Sequence, residues 1–167
     1  MKLIINGYFD NQTGPGLDKV LPVEEDPSPP EYREGERRLA WMRNAGEDFN
    51  LFGYVDFRSN YNPTMSPTSG IAYAKCRVWS PTEREAHLEV VADPNIKVWV
   101  NGQGVYQAET VVLGHVVATP VRLQAGWNGV LVKAAMNTPK PYSGREFGFK
   151  LRFVEADGRL ADLLYCP

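Results

Sequence analysis

Seven side chains that can stack against a ring or make hydrogen bonds in one plane lie in or beside turn-rich stretches: Tyr61 within "RSNYNPTMSPTSG", Asp93, Glu109, His115, Asn137, Tyr142 and Arg145. Tyrosine offers a flat apolar ring with a polar tip, and carboxylates, amides and guanidinium offer planar donors and acceptors. A sugar ring needs both kinds of surface, so this set suits a polar, ring-shaped ligand. Each residue also has a structural use. Tyr61 and Tyr142 can staple a loop down, and Arg145 can pair with Glu146 beside it. Trp79 is a further candidate. It ends the outward face of a strand that starts near Tyr73, and an outward aromatic face can hold a ligand or dock a neighbouring domain. Asp10, Asp18 and Glu24 bring three carboxylates to a glycine-containing stretch and are candidate oxygen ligands for a structural calcium ion, although their spacing is not that of a calcium loop.

Catalysis has little to work with. His87 and His115 are the two imidazoles of the chain, and no Gly-x-Ser-x-Gly elbow, phosphate-binding loop or Gly-x-Gly-x-x-Gly fingerprint is present. Glu24 with Glu25, and Glu47 with Asp48, are adjacent acids, which on a strand face opposite ways and in loops are solvated. No enzyme is expected from this segment by itself. With 18 basic and 20 acidic residues the net charge is -2, and no run gathers Lys and Arg as a phosphate backbone requires, so nucleic acid is an unexpected partner. The opening "MKLIINGYFD" has one Lys and three consecutive apolar residues, short of a signal-peptide core or a membrane span, and a soluble segment is expected. Cys76 and Cys166 match no metal spacing, and both are expected as reduced thiols.

The elements that must position these residues read as strands. Ala72, Ala74, Cys76 and Val78 alternate with Tyr73, Lys75, Arg77 and Trp79. The same period recurs at Ala86, Leu88 and Val90, at Ile96, Val98 and Val100, and at Val117, Thr119, Val121 and Leu123, with "NGVLVKAA" and "FGFKLRFVE" after them. Glu31 to Arg43 is interrupted by Gly35 and reads as a loop running into a short strand near Leu39 to Trp41, and "RLADLLY" reads as one helical turn. Asn101-Gly102 is the strongest hairpin signal. It predicts Trp99 opposite Gly104, Val98 opposite Val105 and Lys97 opposite Tyr106, with Trp99 and Tyr106 sharing the face away from the valines. A tryptophan lying over a glycine favours packing over ligand stacking. Trp41, Trp127 and Phe149 are likewise expected to pack. Many short strands without amphipathic helices predict an all-β fold, one antiparallel β-sandwich or jelly-roll domain over residues 1–167.

The blocks "LIINGYFDNQTGPGLDKVLPVE", "GIAYAKCRVWSP", "IKVWVNGQGV", "VRLQAGWNGVLVKAAMN" and "FGFKLRFVEADG" resemble, in this order, those of galactose-binding-like jelly-roll accessory modules of large bacterial glycoside hydrolases and related secreted enzymes. Two departures stand out. Ala92-Asp93-Pro94-Asn95 replaces the family's Ser-Asp-Asp-Gly turn, which removes a carboxylate there, and Gly7-Tyr8-Phe9 replaces Gly-Pro-Phe. The resemblance implies a noncatalytic carbohydrate-binding module for a polysaccharide or oligosaccharide. Its alternative is a structural or docking domain against the catalytic domain of a longer parent protein, extracellular or periplasmic. Alternating strand directions sort the loops: 58–70, 92–95, 108–115 and 137–146 fall at one end, and 80–84, 101–102, 124–127 and 155–158 at the other, with 42–52 the exception. The long-loop end, where the seven candidates gather, is the expected glycan site.

Overall fold

Alternation along the two longest strands builds the sandwich. In β5 (Ser69–Ser80) and β10 (Gly126–Asn137), Ala72, Ala74, Val78, Val130, Val132 and Ala134 all face one buried core. The computed structural model describes residues 3–5, 7–11, 16–43, 54–57, 69–92, 95–109, 116–137 and 147–166. β5 and β10 pair antiparallel over their whole lengths, from Gly126 opposite Ser80 to Asn137 opposite Ser69. β7 (Asn95–Val100) and β8 (Gln103–Ala108) extend the sheet beyond β10. β1 (Leu3–Ile5), β3 (Arg37–Arg43) and β2 (Glu31–Glu34) extend it beyond β5, where β12 (Leu164–Cys166) also pairs. The facing sheet runs β4 (Tyr54–Asp56), β11 (Gly148–Val154), β6 (Arg84–Ala92), β9 (Val117–Leu123). Leu88, Val90, Val121, Leu123, Phe149 and Phe153 fill the space between the sheets from this side. The result is an antiparallel β-sandwich. Among the described residues no helix is long and apolar enough to cross a membrane.

The strands expected from alternation are present, and three local readings are corrected. Glu31–Glu34 is a strand rather than a loop, joined to β3 by a turn in which Gly35 takes φ 59°. "RLADLLY" makes no helical turn, since Leu160 bridges to Val154 and the chain then runs into β12. The Asn101-Gly102 hairpin does form, with φ 52° and 78°, and Trp99 lies opposite Gly104. A bulge between Val98 and Trp99 then shifts the register, so Val98 faces Tyr106 and Lys97 faces Gln107. Tyr106 consequently packs on the core with the valines instead of sharing Trp99's face.

The outer face of the larger sheet is the principal departure from the sequence reading. Tyr73, expected to point outward, is fully buried in a second core with Ile5, Phe9, Leu17, Leu21, Val23 and Leu131. The N-terminal segment lies over this face as a third layer, and a buried charge pair holds it there. Lys133, 0 % exposed in mid-strand, donates to Glu24 Oε1 at 2.8 Å and to the carbonyls of Leu17 and Lys19 at 3.0 and 2.6 Å. Tyr73 donates its hydroxyl to the same Glu24 oxygen at 2.6 Å. Glu24 sits in the single-turn helix α1 (Pro22–Glu25), whose start is fixed by Pro22 and by the Leu21 N–H donating to Glu24 at 3.3 Å. A buried charge without its partner is strongly unfavourable, so sheet and cover are coupled.

Two expected outcomes follow from this cluster. Lys133→Ala leaves the Glu24 carboxylate buried and should cost about 3–5 kcal/mol in urea unfolding, whereas Lys133→Met paired with Glu24→Leu should recover much of that loss. A Lys133→Ala variant of wild-type stability would contradict the coupling. The second concerns alkaline pH. Burial, reinforced by the hydrogen bond to Glu24, holds the Tyr73 phenol far above its ordinary 10.0. The folded protein keeps that proton when the unfolded chain releases it, so Tyr73's contribution is complete below about pH 10 and declines as pH rises further. Burial pushes the Lys133 ammonium below its ordinary 10.5, against the opposing pull of Glu24. Its contribution therefore has the opposite sign, rising with pH between the lowered value and 10.5. Unfolding midpoints measured from pH 9 to 11.5 should fall less steeply in Tyr73→Phe than in wild type, and equal slopes would count against Tyr73 as the source.

Candidate functional site

The third layer stops short of the β7–β8 turn, and where it stops a groove of about 470 Å³ opens on the outer sheet face. Its floor is Gly129 and Leu131 of β10. Leu131 lies directly opposite Trp99 across the β10–β7 pair, so the indole stands at one side of that floor. Trp99 is half-buried and packs against the second core while also lining the groove. The indole passes over Gly104, with its nearest atoms 3.8 and 3.9 Å from where a Cβ at that position would be, and Lys97 Nζ lies 5.2 Å from the indole ring centroid. The expected packing of Trp99 is thus present, and a surface remains for a ligand.

The opposite walls come from β5 and from the segment after α1. Lys75 and Arg77 project from β5, and Glu25, Pro27 and Ser28 close the groove from the N-terminal cover. Lys75 is committed: its ammonium donates to the Pro27 carbonyl and lies 4.1 Å from the Trp41 ring centroid. Burial lowers its pKa from 10.5, partly offset by the charge of Asp26. Arg77 is exposed, and its guanidinium stands 5.3 Å from the Trp127 ring centroid. Asn101, at the hairpin turn, lines the end of the groove and is rigidly held. It donates through Nδ2 to Asn128 Oδ1 at 2.8 Å and accepts from the Gly129 N–H at 2.9 Å. Asn128, fully buried, bonds in turn to the backbone of Gln124 and Gly126, so one amide fixes both the turn before β10 and the hairpin. This groove combines an apolar platform with a guanidinium, a carboxylate and an amide at its edges.

Beside it lies an exposed aromatic pair. Trp79 and Trp127 meet edge to face at 5.4 Å and are 37 % and 44 % exposed. Trp127 is therefore a surface residue, which corrects the expectation that it packs, whereas Phe149 is buried and Trp41 packs on the second core as expected. Trp79 does face outward, with Leu164 opposite it at 66 % exposure. Cys76 packs against the inner core on the face with Ala74 and Val78, and the register sets Cys166 opposite Arg77 rather than opposite Cys76.

Of the residues expected at the long-loop end, Tyr61, Asp93, His115, Tyr142 and Arg145 lie outside the described residues. Glu109 is exposed just after β8, and Asn137 closes β10 opposite Ser69. Asp10, Asp18 and Glu24 do not come together as a ligand set: Asp10 donates its backbone N–H to Glu34 and accepts from Lys19 at its carbonyl, Asp18 is exposed, and Glu24 is held by Lys133 and Tyr73. Among the described residues no three His, Cys, Asp or Glu side chains are grouped to hold a metal ion. Sequence reasoning missed the groove itself. The available signal was Lys133 in the middle of the apolar run "VLVKAAM", a charge that must be paired if its strand is central.

No protein-family model matches the sequence, and no curated protein matches it. Among solved structures, the chain overlays on a β-glucosidase from Kluyveromyces marxianus with a TM-score of 0.53 at 11% identity, covering 92% of this chain and 16% of that one. It overlays on the PA14 domain of the MpAFP antifreeze protein with a TM-score of 0.44 at 13% identity, covering 58% of this chain and 52% of that one. The values for the PA14 sugar-binding domain from an RTX adhesin are 0.44 and 13%, with 58% and 51% covered. The chain thus spans about half the length of the two PA14 structures and about a sixth of the β-glucosidase. The likeness to the β-glucosidase is one of fold alone.

Proposed function

We propose that this chain is a noncatalytic carbohydrate-binding module of the galactose-binding-like jelly-roll type, which holds a polysaccharide or oligosaccharide weakly. The observation that carries the reading is the groove of about 470 Å³ in which Trp99 stands at one side of a floor made by Gly129 and Leu131, with Arg77, Glu25 and Asn101 at the edges. Pyranose rings present apolar C–H faces and a rim of hydroxyls, and this arrangement complements both. The binding place proposed is therefore the outer sheet face rather than the long-loop end on which Tyr61 and Tyr142 fall. The groove is open and Arg77 is exposed, so binding must order a long side chain around a solvated ligand. Dissociation constants of about 0.1–1 mM, or about 4 to 5.5 kcal/mol, are expected.

A second reading, a docking domain for another part of a longer protein, is favoured by the Trp79–Trp127 pair with Leu164 beside it. Affinity gels made with plant, algal and bacterial polysaccharides separate the two. Wild type should be retarded on at least one of them. Trp99→Ala should abolish retardation while keeping a cooperative unfolding transition, and Tyr61→Ala and Tyr142→Ala should migrate as wild type. Loss confined to the two tyrosine variants would return the site to the loops. No retardation on any polysaccharide, with stable association to a catalytic domain of the parent protein that Trp79→Ala and Trp127→Ala abolish, would establish docking instead.

A further inference from the structure

Gly129 is a glycine that the fold does not require. It lies in the interior of β10, its φ is not in the positive region, and a Cβ built on it meets nothing within 4 Å. Its neighbours do not press on it either. Its N–H and carbonyl are both taken by Asn101, at 2.9 and 2.8 Å, in bonds that any residue could make. Gly148 shows what a structurally required glycine looks like here, since a Cβ there would run into the Val55 carbonyl and the Tyr54 ring. Glycine in a strand interior is unfavourable relative to a side-chain-bearing residue, and its common uses are a bulge, a bend or the close approach of something else. β10 pairs in unbroken register with β5 through Gly129, so no bulge in that pairing explains it.

Its surroundings indicate what approaches. On the outer face of β10, Trp127 lies two residues before Gly129, and Leu131, opposite Trp99, lies two residues after it. At strand spacing the two indole positions are about 13 Å apart along the strand, with bare backbone between them. One sugar ring cannot cover that span. Arg77 lies opposite Gly129 in register and lines the groove, and its guanidinium lies over the Trp127 ring, at that end of the track. Building on the carbohydrate-binding reading, we propose that Gly129 sets what the groove accepts: an internal run of several linked sugar units passing over the bare backbone from Trp99 to Trp127, rather than a single terminal ring. A side chain at position 129 would stand where the chain crosses.

The test is isothermal titration of cello-, xylo- and galacturono-oligosaccharides of one to six units into wild type, Gly129→Ala, Gly129→Val, Trp99→Ala and Trp127→Ala, with Tm measured for each protein. Affinity for the bound series should rise tenfold or more from one to four units. Gly129→Val should weaken the longest oligomer tenfold or more while its Tm is unchanged or higher, and Trp127→Ala should flatten the dependence on length. A monosaccharide bound as tightly as a hexasaccharide, wild-type affinity in Gly129→Val, or a marked fall in Tm in both Gly129 variants would each overturn the inference. In the first two cases the carbohydrate reading survives, provided that Trp99→Ala still abolishes binding. Wild type binding no member of any series also overturns the inference, whereas the carbohydrate reading falls only if the polysaccharide gels show no retardation as well.

Discussion

The bond between Lys133 and Glu24 is the constraint on which the outer half of the molecule depends. A lysine in the middle of a central strand, fully shielded from solvent, is tolerable only with a counter-charge and acceptors for its remaining protons. Glu24 supplies the charge, and the carbonyls of Leu17 and Lys19 accept the other two protons. All three acceptors come from the N-terminal segment, so satisfying Lys133 lays that segment over the sheet. Apolar burial then follows: Leu17, Leu21 and Val23 close over Tyr73 and Ala135 to make the second core. The pair specifies where the cover sits, and the apolar contacts around it supply the stabilisation.

Placing the cover also defines where it ends. Glu24 fixes α1, and Glu25, Pro27 and Ser28 follow directly as one wall of the groove. The other side is fixed by a separate polar device, the Asn101–Asn128 amide pair, which ties the hairpin to the turn before β10. Both walls are therefore positioned by hydrogen bonds to two buried side chains, Lys133 and Asn128, rather than by long loops. Between them Trp99 keeps one surface on the second core and another on the groove. A platform held this way loses little freedom when a ligand stacks on it, which suits a weak site that cannot meet a large ordering cost.

Much of the inner sandwich was legible because a half-buried strand writes its burial as a two-residue period. β5, β6, β7 and β9 all show it, and the Asn101-Gly102 turn was legible because few sequences other than Asn-Gly accept two positive φ values in succession. The bulge after Val98 was not, since one extra residue in β8 leaves the alternation of β7 intact. The outer layer was illegible for a different reason. Period two reports which face is buried, and it cannot distinguish solvent from a covering segment on the other face. Trp127 read as packed because tryptophan so often is, and Tyr73 read as outward although it is buried beside Lys133. The segment that covers them carries its apolar residues at irregular spacing, Leu17, Leu21 and Val23, with no period to identify it. The groove arises where that cover stops, a boundary set by tertiary contacts between residues more than a hundred positions apart.

The claim at the centre is that the edge of the N-terminal cover, and not the long-loop end, makes the binding surface. Amide and indole chemical-shift mapping during titration with a retained polysaccharide fragment addresses it most directly, because both regions report in one experiment. The expected result is saturable shifts at the Trp99 indole N–H and the Asn101, Gly129 and Leu131 amides, with residues 58–68 and 138–146 unmoved. Shifts confined to those two loop stretches, with Trp99 and Gly129 silent, would contradict it.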